Sequence, residues 1–82
     1  MPDVRRRPIV LGVRTNNYDV IIDAYINRKF EDNELKEVYD INKDPFEHNN
    51  LAKRKQIKVS IEKELAILKK RFDELTSEYN KQ

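Results

Sequence analysis

No cysteine occurs in the chain, which excludes disulfides, thiolate metal ligands and cysteine nucleophiles together and leaves the redox compartment unmarked. Gly12 is the only glycine, so no glycine-rich loop can cradle a nucleotide's phosphates. His48 is the only histidine; it offers no imidazole pair for a metal and would have to carry any triad from a polar loop, where it reads as a residue without a catalytic role. Long hydrophobic runs are missing as well. The stretches Ile9 to Val13 and Val20 to Ile22 fall far short of the roughly 20 apolar residues a membrane span needs, so a soluble chain is expected. Arg5, Arg6 and Arg7 precede an apolar stretch that is too short for a secretion signal and lacks a small-residue cleavage site. Charge of one sign is also lacking. With 17 basic and 15 acidic side chains the net charge is +2, too balanced for a strong field toward nucleic acid or anionic lipid.

What remains is a chain of 82 residues, 38% apolar and 39% charged, enough for one domain with a thin core. Over 9–15 the pattern alternates, with Ile9, Leu11, Val13 and Thr15 on one face and Val10, Gly12 and Arg14 on the other, which predicts a strand. Asn16 and Asn17 form a two-residue loop, and Asn tolerates the positive φ that tight hairpin turns demand. A second strand over 18–26 sets Tyr18, Val20, Ile22, Ala24 and Ile26 against Asp19, Ile21, Asp23 and Tyr25. After a polar loop over 27–33, a third strand is expected over 35–41, with Tyr39 and Ile41 opposite Val38.

The C-terminal segment supplies a cover. Ile61, Leu65, Leu68, Phe72, Leu75 and Tyr79 recur at alternating spacings of four and three, one stripe of a helix over 57–80, while Glu62, Lys63, Lys69, Lys70, Asp73 and Glu74 fall outside it. The expected fold is α+β: a small antiparallel meander of three or four strands with one long amphipathic helix on one face. A two-stranded coiled coil would show the same stripe, but Ala66 and Ile67 widen it beyond a strict seam and the strands need a cover. The second sheet face is then left over, and Val10, Ile21, Tyr25 and Val38 on it form a candidate docking face.

The carboxylates Glu31, Asp32, Glu34, Glu37 and Asp40 read as a solvated surface and not as a cleft acid pair. The basic runs Arg5 to Arg7 and Lys53 to Lys55 read as a solvated terminus and the start of a helix. More informative is the stretch from Glu37 to Ala52. Asp44 is placed to N-cap a turn over 44–48 begun by Pro45, with Glu47 reaching back as the capping-box acid, and Asn50 to cap a second start at Leu51.

Tyr39, Asp40, Asp44, Pro45, Glu47, Asn50, Leu51 and Ala52 resemble a pattern near the C-terminus of the formylglycine-dependent sulfatases. The segment Gly12 to Tyr18, with Val13, Arg14 and Thr15, is similar to that family's Val-Arg-Thr hairpin, which pairs with the acidic segment in one sheet. The resemblance covers about 10–79. Departures are Asp19, where the family often has Lys, and Val38 and Ile41 in place of leucines. The resemblance implies a C-terminal subdomain docked on a large α/β domain that holds the formylglycine, a divalent cation such as calcium, and the sulfate-gripping bases. None of that machinery is expected in this chain, which carries no catalytic, cofactor or metal residues of its own. The expectation is a supporting subdomain, present as a fragment or the product of a truncated reading frame, with a sulfatase catalytic domain or another protein surface as partner. The alternative is a free-standing module that dimerises through its helix; neither nucleic acid nor membrane is an expected partner.

Overall fold

The computed structural model describes residues 7–80, with side chains through 78. Arg5 and Arg6 of the first basic run, and the Tyr79 side chain of the helix stripe, lie outside the described residues. Strands β1 (Ile9–Arg14), β2 (Tyr18–Ala24) and β3 (Glu34–Asp40) form an antiparallel sheet in the order β1-β2-β3. A short helix α1 (Ile57–Ser60) leads through Ile61 into α2 (Glu62–Asn80). The chain is therefore the expected α+β meander with one long C-terminal helix. Ile61 joins the two helices, its amide donating to Ile57 O at 3.1 Å and its carbonyl accepting from Leu65 N at 2.9 Å.

The hairpin loop is the expected pair Asn16 and Asn17, but neither adopts a positive φ; among the described residues only Glu47 and Gln56 do. The Thr15 hydroxyl takes over instead. Its oxygen accepts from the amides of Asn17 and Tyr18, both at 3.2 Å, while the Thr15 amide donates to Tyr18 O at 2.9 Å. A side chain thus shapes the turn that asparagine backbone strain was expected to shape.

One sheet face and the helix stripe enclose the core: Leu11 from β1, Val20, Ile22 and Ala24 from β2, and Ile57, Ile61, Leu68 and Phe72 from the helices. The ninth member is Val38, 0% exposed and paired across from Val20, which corrects its expected place on the leftover face. The cause is a β-bulge. Ile21 faces Glu37 while Ile22 faces Leu35, so Lys36 is the extra residue, and Leu35 and Val38 reach the same face although three positions apart.

The 27–33 connection is not a bare loop. Residues Phe30–Asp32 make a 3-10 turn that brings the Phe30 ring to 5.6 Å from Phe72, and buried Asn33 closes it by accepting from Tyr25 N and donating to the Lys29 and Phe30 carbonyls. No helix among the described residues is long and apolar enough to cross a membrane.

Candidate functional site

The segment after β3 is organised by carboxylates and amides that accept backbone N–H groups. Asp40 Oδ1 accepts from Asn42 and Lys43, at 3.0 and 3.1 Å, turning the chain as β3 ends. The Asp44 amide donates to Asp40 O at 2.7 Å, and the Asp44 carboxylate accepts from His48 at 3.0 Å and Asn49 at 2.7 Å. These two amides hold the Asp44 carboxyl below its ordinary range, the Asn49 bond contributing most.

Asp44 is therefore not the N-cap of a helical turn. An N-cap serves amides two and three residues on, whereas Asp44 serves those four and five on, and the turn through Pro45 and Phe46 ends at Glu47 with φ of 57°. Nor does Glu47 reach back to the Asp44 amide, which Asp40 already occupies. Its side chain crosses to the outer sheet face, 3.9 Å from Arg14, and lies beside Asp19. The adjacent Asp19 carboxyl favours a proton on Glu47 that the two can share and, together with burial, raises the Glu47 pKa, with Arg14 opposing.

A pH-dependent test follows from the direction of that shift. A glutamate raised in the folded state contributes stability that is complete below the ordinary glutamate range and is lost as pH rises through the raised value. Glu47→Gln keeps a proton to donate to Asp19 at every pH. At neutral pH the variant should melt above the parent, and the difference should close on acidification as Glu47 itself takes up a proton. Thermal melts across pH 4 to 8 measure it; a variant melting below the parent at neutral pH contradicts the shared proton.

Asn50 does accept from the amide two residues on, as a cap would, but it closes a turn at Leu51 and not a helix, which begins only at Ile57. It clamps the exposed edge of β3: Oδ1 accepts from Val38 N at 3.0 Å and Ala52 N at 2.9 Å, and Nδ2 donates to Lys36 O at 2.9 Å. Leu51 adds a backbone bond to Val38 O at 2.7 Å. The junction thus occupies an edge that would otherwise offer unpaired groups to another strand. Asn50→Ala removes all three side-chain bonds and should cost about 1 to 3 kcal/mol, with faster hydrogen exchange at the Val38 amide. Unchanged exchange at Val38 would mean that the edge is held by other contacts.

The residues of the two motifs meet in space. Arg14 pairs with Asp19 across β1 and β2, Asp19 pairs with Tyr39 across β2 and β3, and Ile41 N donates to Asn17 O at 3.1 Å. On this outer face the Tyr39 hydroxyl donates to Glu37 at 2.6 Å, a bond that, with burial, pushes the phenol pKa up to about 12. Thr15 turns the other way, donating a short hydrogen bond to Glu64 on α2.

Of the expected docking residues, Val10 is 60% exposed and Ile21 is half-buried over Gly12, its Cγ1 within 3.7 Å of where a glycine side chain would begin. Tyr25 is half-buried just beyond β2 with the Arg28 guanidinium 4.3 Å from its ring centre. Val38 is not among them. The face is more acidic than its apolar residues suggested, since Asp19, Asp23, Glu37 and Glu47 stand against Arg14 and Lys36. Among the described residues no three histidine or carboxylate side chains converge to hold a metal ion.

Two structural polar residues escaped the sequence reading. Glu64 lies within the helix stripe, three residues after Ile61 and four before Leu68, a position its spacing discloses but its charge disguised. Asn33 carried no comparable signal. Compared with family models, with curated proteins and with solved structures, the chain matches none.

Proposed function

We propose that the chain is a non-catalytic C-terminal accessory subdomain of the formylglycine-dependent sulfatase type, whose work is to pack on and support a catalytic α/β domain. The observation that carries this reading is the meeting of two motifs distant in sequence. The strand that returns from the Val13-Arg14-Thr15 hairpin pairs with the start of the Tyr39 to Ala52 segment, Tyr18 with Asp40 and Asp19 with Tyr39, and Arg14 stands 3.9 Å from Glu47, in keeping with the single sheet the resemblance implies. The side chains of the second motif act structurally. Asp40, Asp44 and Asn50 are engaged with backbone groups, consistent with a segment that shapes a docking surface. That surface is the outer sheet face, with Val10, Ile21 and Tyr25 as its apolar members.

The aldehyde hydrate that attacks sulfur and the divalent cation that stabilises sulfate charge belong, in this reading, to the catalytic domain. Dimerisation through the helix is the weaker reading, because Ile61, Leu68 and Phe72 are buried against the sheet of their own chain and the seam is occupied.

The test is co-expression with a sulfatase catalytic domain that lacks its own C-terminal subdomain. The chain should co-purify with that domain and raise its melting temperature, Ile21→Glu should weaken the association, and the chain alone should hydrolyse no aryl sulfate above background. A chain that stays apart from the catalytic domain and sediments as a dimer overturns the proposal.

A further inference from the structure

The two edges of the sheet are not alike. On β3 the backbone groups that point away from β2 are taken up by the junction: Lys36 O by Asn50, Val38 N and O by Asn50 and Leu51, and Asp40 O by the Asp44 amide. β1 is the other edge, and among the described residues no strand lies beyond it. Its bonding parity is set at the hairpin. Thr15 N donates to Tyr18 O, so Val13, Leu11 and Ile9 in turn exchange bonds with β2, and the N–H and C=O groups of Val10, Gly12 and Arg14 point outward. All three residues are exposed, and the strand lacks the guards that blunt an edge: it holds no proline and no bulge against β2, and its one charge sits at its end.

Which strand fits there follows from β1 itself. Its outward residues are symmetric about Gly12, so a second β1 running antiparallel sets Gly12 opposite Gly12 and Val10 opposite Arg14, with each outward N–H meeting an outward C=O. On the core side the same register sets Leu11 beside Val13. No side chain stands on the axis, and the two Arg14 residues lie roughly 13 Å apart, four residues along the strand, so the charge of β1 never meets its own copy. In the helix layer α2 packs chiefly on β1. Leu65 marks the flank of α2 toward Phe30 and Leu35, which leaves Ile67, 49% exposed, on the flank toward the open edge, where a copy covers it. Pairing also stops at two. The outer edges of the joined sheet are the two β3 edges, each occupied by its own junction, so the association closes as a twofold pair and cannot run on as a fibre.

We propose that the open edge of β1 is the contact between two copies of this chain, joined antiparallel about Gly12 into one continuous sheet. An edge of six residues is short beside the roughly 1,200 Å² that a stable interface buries, so the pair is weak and forms in the micromolar range or above. The contact is made by backbone groups of the edge and leaves Ile21 and Tyr25 open on the outer sheet face, so it does not rest on the proposed docking. It also differs from a coiled coil, because the stripe of α2 stays buried in its own chain.

The experiment is sedimentation equilibrium of the full chain over about 5 to 500 μM, with hydrogen exchange measured at both ends of that range. A monomer–dimer equilibrium without larger species is expected. With rising concentration the Val10, Gly12 and Arg14 amides should slow about twofold or more, while those of Leu11 and Val13, already bonded to β2, should change less. Gly12→Pro removes an outward N–H and no bond to β2, and should abolish the dimer. Gly12→Lys sets two ammonium groups opposite each other on the axis and should raise the dissociation constant about threefold or more. A side chain has room at that position, where its first carbon meets no atom closer than 3.7 Å, so melts of the Lys variant at low concentration should match the parent. A chain that stays monomeric throughout leaves the edge to some other strand and overturns the proposal. So do growth beyond two copies, a dimer in which the Val10, Gly12 and Arg14 amides gain no protection, and a dimer that both Gly12 variants leave unchanged.

Discussion

Leu68→Ala and Phe72→Ala are each expected to lower the unfolding free energy by about 2 to 5 kcal/mol. Both side chains come from the centre of α2 and are almost fully buried against the sheet, and Phe72 also packs at 5.6 Å from Phe30. Truncation removes the transfer energy of the lost carbons and opens a cavity that a single helix over three strands cannot readily close. A domain of this size has about 4 to 12 kcal/mol in total, at roughly 0.05 to 0.15 kcal/mol per residue, so either change removes a large share. The melting temperature should fall by about 4 to 8 °C for each kcal/mol lost. Ile67→Ala, at a site 49% exposed on the same helix, should shift stability by less than about 0.5 kcal/mol. The same contrast tests the sheet: Val38→Ala should be costly and Val10→Ala nearly silent, although strict alternation would place both on one face. Denaturant titrations and thermal melts of the five variants measure all of this, and a small effect at Phe72 would mean that α2 is undocked in solution.

The contrast between Val38 and Val10 shows what alternation can and cannot disclose. Strands β1 and β2 keep a strict period of two, and their faces were legible residue by residue. β3 does not, because Lys36 is inserted at a bulge, and nothing in the run Glu34 to Asp40 marks that insertion. A bulge is a property of the pair of strands, so it cannot be read from one of them. The helix was legible for the complementary reason. Its stripe from Ile61 to Leu75 is long enough for the period to survive Glu64, a charged residue at a buried position.

The junction was legible in identity and not in geometry. Asp44, Glu47 and Asn50 were recognised as structural residues, but each was assigned the partner that local capping rules supply. Asp44 and Glu47 find theirs farther along the chain or across the sheet, Asn49 for Asp44 and Asp19 and Arg14 for Glu47, while Asn50 keeps its local partner Ala52 and adds Val38 and Lys36. Local rules count residues along one segment, and here an open sheet edge competes for the same polar groups. The functional reading rests on the motif order and on the pairing of the hairpin with the junction.

Glu64 provides the second large expected effect, through its bond to Thr15. It is 3% exposed, and its carboxyl accepts a hydrogen bond from the Thr15 hydroxyl; the same hydroxyl oxygen accepts from the Asn17 and Tyr18 amides. The two partners should not be equivalent on removal. Thr15→Val leaves a buried carboxyl without its donor and two turn amides without their acceptor, at about 1 to 3 kcal/mol. Glu64→Met places an apolar chain of similar length in an apolar stripe, and the freed hydroxyl can turn toward Tyr18 O, 3.4 Å away, so the cost should be small. In the Thr15→Val background Glu64→Met should therefore stabilise, with a coupling of about 0.5 to 3 kcal/mol between the sites. Thr15→Ser, which keeps the hydroxyl, should stay close to the parent. Denaturant titration of the full cycle decides the matter: additive costs, or a Glu64→Met variant that loses as much as Thr15→Val, would mean that the hairpin turn is not tied to α2 by this bond.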